Sequence, residues 1–191
     1  MEIAIYHSVL GVRQGLIDAA DRLEASGHRV ELVDQYDGRT FDSYEAASAF
    51  AAQVGFPALM ASALDGVAHL GDGFLAAGFS NGAGMAEYVA TQRSVAGVVL
   101  VSGAVPLSVL GVETWPSGIP VQIHATTRDP FRNQVWVDQL VSSIEKTSEV
   151  EVFDYDGTGH LFTDPSLPNE YEPENAERLW KRVAKFCKQH G

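Results

Sequence analysis

With a single cysteine, Cys187, the chain has no disulfide framework and no cysteine cluster for a metal. Its fold must rest on an apolar core, and the cytoplasm is the default compartment. Basic residues are scarce: 13 Lys and Arg face 25 Asp and Glu, a formal net charge of −12. The average field of such a chain repels polyanions, so neither nucleic acid nor an acidic membrane surface is an expected partner. No apolar run approaches membrane-spanning length, and Met1-Glu2-Ile3-Ala4-Ile5-Tyr6 holds no basic segment followed by an apolar signal core. A soluble, unsecreted protein is the expectation. Internal repeats, low-complexity tracts and flexible linkers are also missing. Residues 163–173 form the longest irregular piece, and their three prolines suggest an ordered surface connection.

The 191 residues, 46% of them hydrophobic and 20% charged, suit one globular domain, 1–191, with a substantial core. Short branched apolar runs alternate with stretches of helical spacing. Residues 3–6 are a strand that ends in His7-Ser8-Val9-Leu10-Gly11, and Leu16, Ala19, Ala20 and Leu23 follow at helical intervals. A second strand covers 29–33. Alanine-rich 44–70 reads as two helices broken at Gly55-Phe56-Pro57. Further strands are expected at 74–77, 95–101, 119–125 and 150–155, with helices at 85–91, 135–144 and 174–188. Six strands alternating with helices predict an α/β fold, a mostly parallel sheet covered on both faces. In such sheets the working residues gather outside the carboxyl ends of the strands.

The most informative of these ends is Gly78-Phe79-Ser80-Asn81-Gly82, a G-x-S-x-G pattern between a strand and a helix. A serine in this turn sits in a strained backbone conformation, and the flanking glycines relieve the crowding. Gly84 is expected to let helix and strand approach closely. The turn lifts the hydroxyl above the sheet and points a helix N-terminus at any oxygen that becomes negative there. A purely structural glycine turn fits the bare pattern as well, so partners must decide.

A serine hydroxyl needs a histidine to take its proton, and the histidine needs a carboxylate to fix its tautomer. Among six histidines, His160 stands directly after the last strand in the glycine-flanked Gly157-Thr158-Gly159-His160. His124 lies within a strand, His28 before one, and His69 and His190 in or beside helices; His7 is the remaining competitor. Asp129, just past the fifth strand and before a proline, is the expected acid, with Glu113 as the fallback. Asp154 and Asp156 share the strand and loop of His160 and are less suited. The order Ser80, Asp129, His160 is that expected of a sheet-top serine hydrolase. Two N–H donors for an oxyanion complete the requirement. Asn81 supplies one, and the loop after the first strand supplies the other, through Val9 or next Leu10. His7 and Ser8 would then border the substrate, although a plain strand-to-helix turn explains them equally. Tyr36, Trp115, Phe131, Leu161 and Phe162 are pocket candidates that core packing would also explain.

Over nearly its full length the chain resembles the dienelactone hydrolase family of α/β hydrolases. The resemblance is carried by Gly78-Phe79-Ser80-Asn81-Gly82-Ala83-Gly84, by Ile119-Pro120-Val121-Gln122-Ile123-His124 leading to Asp129-Pro130, and by Gly157-Thr158-Gly159-His160-Leu161-Phe162. Asp164-Pro165-Ser166-Leu167-Pro168 and Glu177-Arg178-Leu179-Trp180 resemble the family's closing loop and helix. The founding type carries cysteine at the position of Ser80 and a glutamate in the first-strand loop, where this chain has Ser8. That departure implies ordinary serine activation by His160. The founding type also has an arginine after its histidine that binds a substrate carboxylate, whereas this chain has Asp164, whose charge would repel an anionic substrate. The strands that usually precede the first are missing here, which implies a trimmed sheet and an open site.

Together these readings predict a serine hydrolase of a small carboxylic ester or lactone, with Ser80, Asp129 and His160 catalytic and Val9 and Asn81 forming the oxyanion hole. His7, Ser8 and Leu161 are the expected substrate contacts. No cofactor and no metal are called for; the sequence leaves the oligomeric state open, with a monomer slightly favoured. The same chemistry turned to acyl transfer or peptide cleavage, or a non-catalytic binding protein of the same fold, are the rival expectations.

Overall fold

The computed structural model describes all 191 residues. Six strands form one sheet: β1 (Glu2–Tyr6), β2 (Arg29–Val33), β3 (Phe74–Phe79), β4 (Val95–Val101), β5 (Val121–Thr126) and β6 (Val150–Tyr155). The strand order is β2-β1-β3-β4-β5-β6 and every pairing is parallel, so the expected mostly parallel sheet is wholly parallel. Around it lie α1 (Gln14–Ala25), α2 (Tyr44–Val54), α3 (Phe56–Gly66), α4 (Asn81–Gln92), α5 (Gln134–Ile144) and α6 (Pro173–His190). No single helix is long and apolar enough to cross a membrane.

Because successive strand residues face opposite ways, the continuous apolar runs feed two cores. Ala4, Tyr6, Ala76, Val98, Leu100 and Ile123 pack against α3, α4 and α5 on one face. On the other, Ile3, Ile5, Leu75, Ala77, Val99 and Val101 pack against α1 and α6. Cys187 is one of the α6 residues buried there. β5 starts at Val121 rather than 119 because Pro120 has no N–H to give the ladder. Helix α4 starts at Asn81, directly after Ser80 and four residues before the first apolar helical position the sequence offers.

The strand order reverses direction between β1 and β3, which places their carboxyl ends side by side. Tyr6 pairs with Gly78, so the loop that begins at His7 runs alongside Phe79 and Ser80. Glycine permits that proximity. A methyl group on Gly78 would collide with the Gly82 carbonyl, and one on Gly82 with the carbonyls of Tyr6 and His7. Gly84, in contrast to the expectation, is not a close-approach residue; a methyl there would meet only the side chains of Val105, at an ordinary 3.4 Å, and Phe56, at 3.6 Å. The tight contact lies instead at Gly103 after β4, where a methyl would strike the Ser80 carbonyl.

Gly82→Ala is therefore expected to lower the free energy of unfolding by at least about 2 kcal/mol. Gly84→Ala should be neutral or stabilise by up to about 1 kcal/mol through helix propensity. Urea denaturation of the two variants checks the contrast, and equal losses would contradict this account of α4 seating.

Candidate active site

Ser80 links β3 to α4 with φ 54° and ψ −116°, a conformation that side chains rarely tolerate. Its Oγ lies 2.7 Å from His160 Nε2, and His160 Nδ1 lies 2.7 Å from Asp129 Oδ2. The structure thus joins the three residues singled out by strand-end placement into one hydrogen-bonded chain. With a carboxylate accepting at Nδ1, a neutral imidazole carries its proton there and leaves Nε2 to accept from the serine. Asp129 is held in turn, since its Oδ1 accepts from the Phe131 N–H at 2.8 Å. Glu113, the fallback acid, is exposed and stands away from this chain of bonds.

The loop after β1 is set by His7. Its ring is fully buried, with Nε2 accepting from the Gln35 N–H at 3.1 Å and Nδ1 donating to the Ser8 carbonyl at 2.6 Å. Burial holds the ring below its usual pKa, although its bond to Ser8 and nearby Asp34 oppose the shift. The Gly11 N–H also donates to the Ser8 carbonyl, at 3.1 Å. In a trans peptide the N–H points opposite to the C=O, so anchoring this carbonyl turns the Val9 N–H the other way. Val9 lines the cavity over Ser80 and its N–H donates to no protein acceptor. Asn81, another lining residue, is the first of its helix, where the N–H has no intrahelical acceptor.

Three expected substrate contacts need correction. His7 lies behind the cavity wall, because both its ring nitrogens are committed to backbone partners. Ser8 is buried too, its Oγ accepting from the Leu10 N–H at 3.2 Å, and Leu161 packs in the core under α1 and α6. Of the aromatic pocket candidates, Phe131 lines the cavity; Tyr36, Trp115 and Phe162 are core residues. Asp164 is also turned away. It lies against Gly15 at the start of α1, accepts from the Ser166 N–H at 2.8 Å, and borders a water-sized void rather than the cavity over Ser80.

The cavity over Ser80 has a volume of about 590 Å³. One side is α2, which presents Tyr44, Ser48 and Ala51 at helical spacing. Phe131, Trp136 and Val137 form another side, and Gly103 to Val105 a third. Tyr44 and Phe131 stand over the imidazole, with ring centroids 5.9 and 4.8 Å from that of His160. No group of three or more His, Cys, Asp or Glu side chains is placed to hold a metal ion.

The sequence did not single out the residues that hold the His160 loop. Glu172 accepts from the Thr158 and Gly159 N–H groups at 2.7 and 2.8 Å, while Glu170 accepts from the Leu161 N–H at 2.7 Å and from the Tyr44 hydroxyl. Thr126 donates to the Gly159 carbonyl at 2.8 Å and Ser102 to that of His160. Both glutamates come from the proline-rich 163–173 connection, which reads as surface because nothing in its composition reveals which backbone it satisfies. Ser102, at φ 55°, occupies a strand end and could have been flagged on that ground.

The sequence profile described as the dienelactone hydrolase family matches residues 2–191. The chain belongs to the dienelactone hydrolase family. It is accordingly a hydrolase acting on esters. No curated protein sequence is significantly similar to it. Among solved structures, m3DLH is 19% identical with a TM-score of 0.80, over 99% of this chain and 86% of that one. A dienelactone hydrolase-like promiscuous phosphotriesterase, P91 from metagenomic libraries, is 18% identical with a TM-score of 0.81, over 100% and 87%. Mouse alpha/beta hydrolase domain-containing protein 10 is 11% identical with a TM-score of 0.72, over 100% and 90%. At these identities the likeness is one of fold, the α/β-hydrolase fold.

Burial alone would raise the Glu172 carboxyl, but N–H donors from Gly159, Asn175 and Thr158 outweigh it and hold the group below its ordinary value of 4.5. A carboxyl depressed in the folded state stabilises the fold above its ordinary value and loses that contribution as pH falls through the folded value. Glu172→Gln should cost about 1 kcal/mol at pH 7, given the partial exposure of the group. That difference from the parent should shrink below pH 4 and vanish at lower pH in parallel denaturation curves.

Proposed function

We propose that this family member hydrolyses a small carboxylic ester or lactone through a Ser80-His160-Asp129 catalytic triad and an acyl-enzyme intermediate. The observation that carries the reading is the pair of 2.7 Å contacts from Ser80 through His160 to Asp129, opening onto a cavity with two free backbone N–H groups. Ser80 Oγ attacks the carbonyl carbon while its proton passes to His160 Nε2. Negative charge develops on the carbonyl oxygen, within reach of donors from Val9 and Asn81, and Asp129 stabilises the charged imidazole. The carbon–oxygen bond to the leaving group then breaks, and His160 returns the proton to the departing alkoxide. A water follows the reverse course: His160 takes its proton, its oxygen attacks the acyl carbon, the carboxylic acid leaves and Ser80 regains its hydrogen.

On this reading His7 is a positioning residue for the Val9 donor, and its buried ring never meets substrate. The protein is expected to turn over 4-nitrophenyl butyrate, and Ser80→Ala or His160→Ala should lower kcat by about a thousand-fold or more in a folded protein. Full activity in a folded Ser80→Ala variant would overturn the reading. His7→Leu should lower kcat by about 10- to 100-fold with little change in KM, since an oxyanion donor acts mainly in the transition state. His7→Asn, which keeps a donor near the Nδ1 position, should recover part of the loss. An unchanged kcat in His7→Leu would separate Val9 from catalysis.

A further inference from the structure

The charges around the cavity select among esters. Its lining is largely apolar, with Val9, Ala51, Val105, Phe131, Trp136 and Val137 spread over three sides. Only two ionisable groups of fixed charge line it besides the imidazole: Asp129, committed to His160, and Arg132. Arg132 is the sole cation in the wall, and it is already engaged. Its Nη1 lies 2.7 Å from Asp154 Oδ1 and donates to the Thr126 carbonyl at 3.3 Å, while Nε donates to Gln134 Oε1 at 2.9 Å. Across the cavity the Tyr44 hydroxyl donates to Glu170. That phenol is held above its usual pKa, first by burial, then by Glu170, with further contributions from Asp129 and Asp164. Asp129 therefore lines the space, Glu170 stands behind Tyr44, the one cation in the wall is paired, and the chain as a whole carries −12.

We infer that the site selects uncharged esters with apolar acyl groups and disfavours substrates bearing a free carboxylate, with the Arg132–Asp154 pair setting that preference. The inference rests on the hydrolase reading and deepens it. Asp164 is not the determinant, as it does not line the cavity; the decisive feature is that Asp154 neutralises the one cation able to meet an acid. A volume of about 590 Å³ accommodates a medium acyl chain together with an aryl leaving group.

The test pairs two 4-nitrophenyl esters with acyl chains of eight atoms, the neutral octanoate and the anionic hemipimelate, whose carboxylate is too far along the chain to attack its own ester carbonyl, on the full chain. The octanoate is expected to have a kcat/KM at least about 10-fold higher, the size of effect that like charges within a cavity produce at an effective dielectric near 20. Raising ionic strength should lift the hemipimelate value toward that of the octanoate, because salt screens repulsion. Asp154→Asn, which leaves Arg132 unneutralised, should shift the hemipimelate-to-octanoate ratio upward several-fold. Equal or faster turnover of the hemipimelate by the parent would identify Arg132 as an acid-binding group and overturn the inference. A ratio unmoved both by salt and by Asp154→Asn in a folded variant would overturn it as well. Turnover of neither ester contradicts the hydrolase reading itself and removes this inference with it.

Discussion

Ser80 holds a backbone conformation that a side-chain-bearing residue rarely adopts, and much of the molecule is arranged to keep it there. Gly78 and Gly82 leave room for the turn, Gly103 lets the end of β4 pass against the Ser80 carbonyl, and the β1–β3 reversal brings the Val9 loop alongside. Each is a contact between backbones, where one methyl group is too many. The sheet core behind them, continuous branched side chains on both faces, makes the turn rigid enough to bear the strain.

A second constraint is the satisfaction of buried polar backbone. The His160 loop has no helix or strand to absorb its N–H and C=O groups, so side chains from distant segments do so: Glu170, Glu172, Thr126 and Ser102. The same device fixes the first loop, where His7 holds the Ser8 carbonyl. One of these carboxylates, Glu170, also holds the Tyr44 hydroxyl at the cavity wall, so a group that orders the histidine loop contributes to the electrostatics of the site. Glu87 satisfies backbone in the same way but adds no such charge: it is a fully buried carboxyl that accepts from the Val105 N–H, and burial pushes it well above its usual range, toward the neutral form.

The strands were legible because buried parallel strands are written as unbroken branched runs, and β2, β4 and β6 begin and end where those runs do. Strand-end placement also singled out Ser80, Asp129 and His160, since a doubly wound topology leaves few carboxyl ends to consider. Orientation was harder to read. His7 and Leu161 are close to the site in sequence terms and face away from it, and Asp164 packs onto α1, because a residue's position along a loop does not say which way its side chain turns. Tyr44 and the two glutamates were illegible for another reason. Their roles depend on contacts across 126 residues and on backbone groups of another loop, and neither leaves a periodic trace. Gly84 was misread because a glycine in a motif does not reveal whether its missing methyl is needed.

The central claim is that Ser80 is a nucleophile activated through His160. Intact-mass labelling with a fluorophosphonate, followed by peptide mapping, measures that activation without knowledge of the substrate. The account predicts one adduct per chain, on Ser80, formed by the parent and lost in a folded His160→Ala variant. No adduct on the folded parent under conditions that label a control serine hydrolase, or an adduct on any other residue, would contradict it.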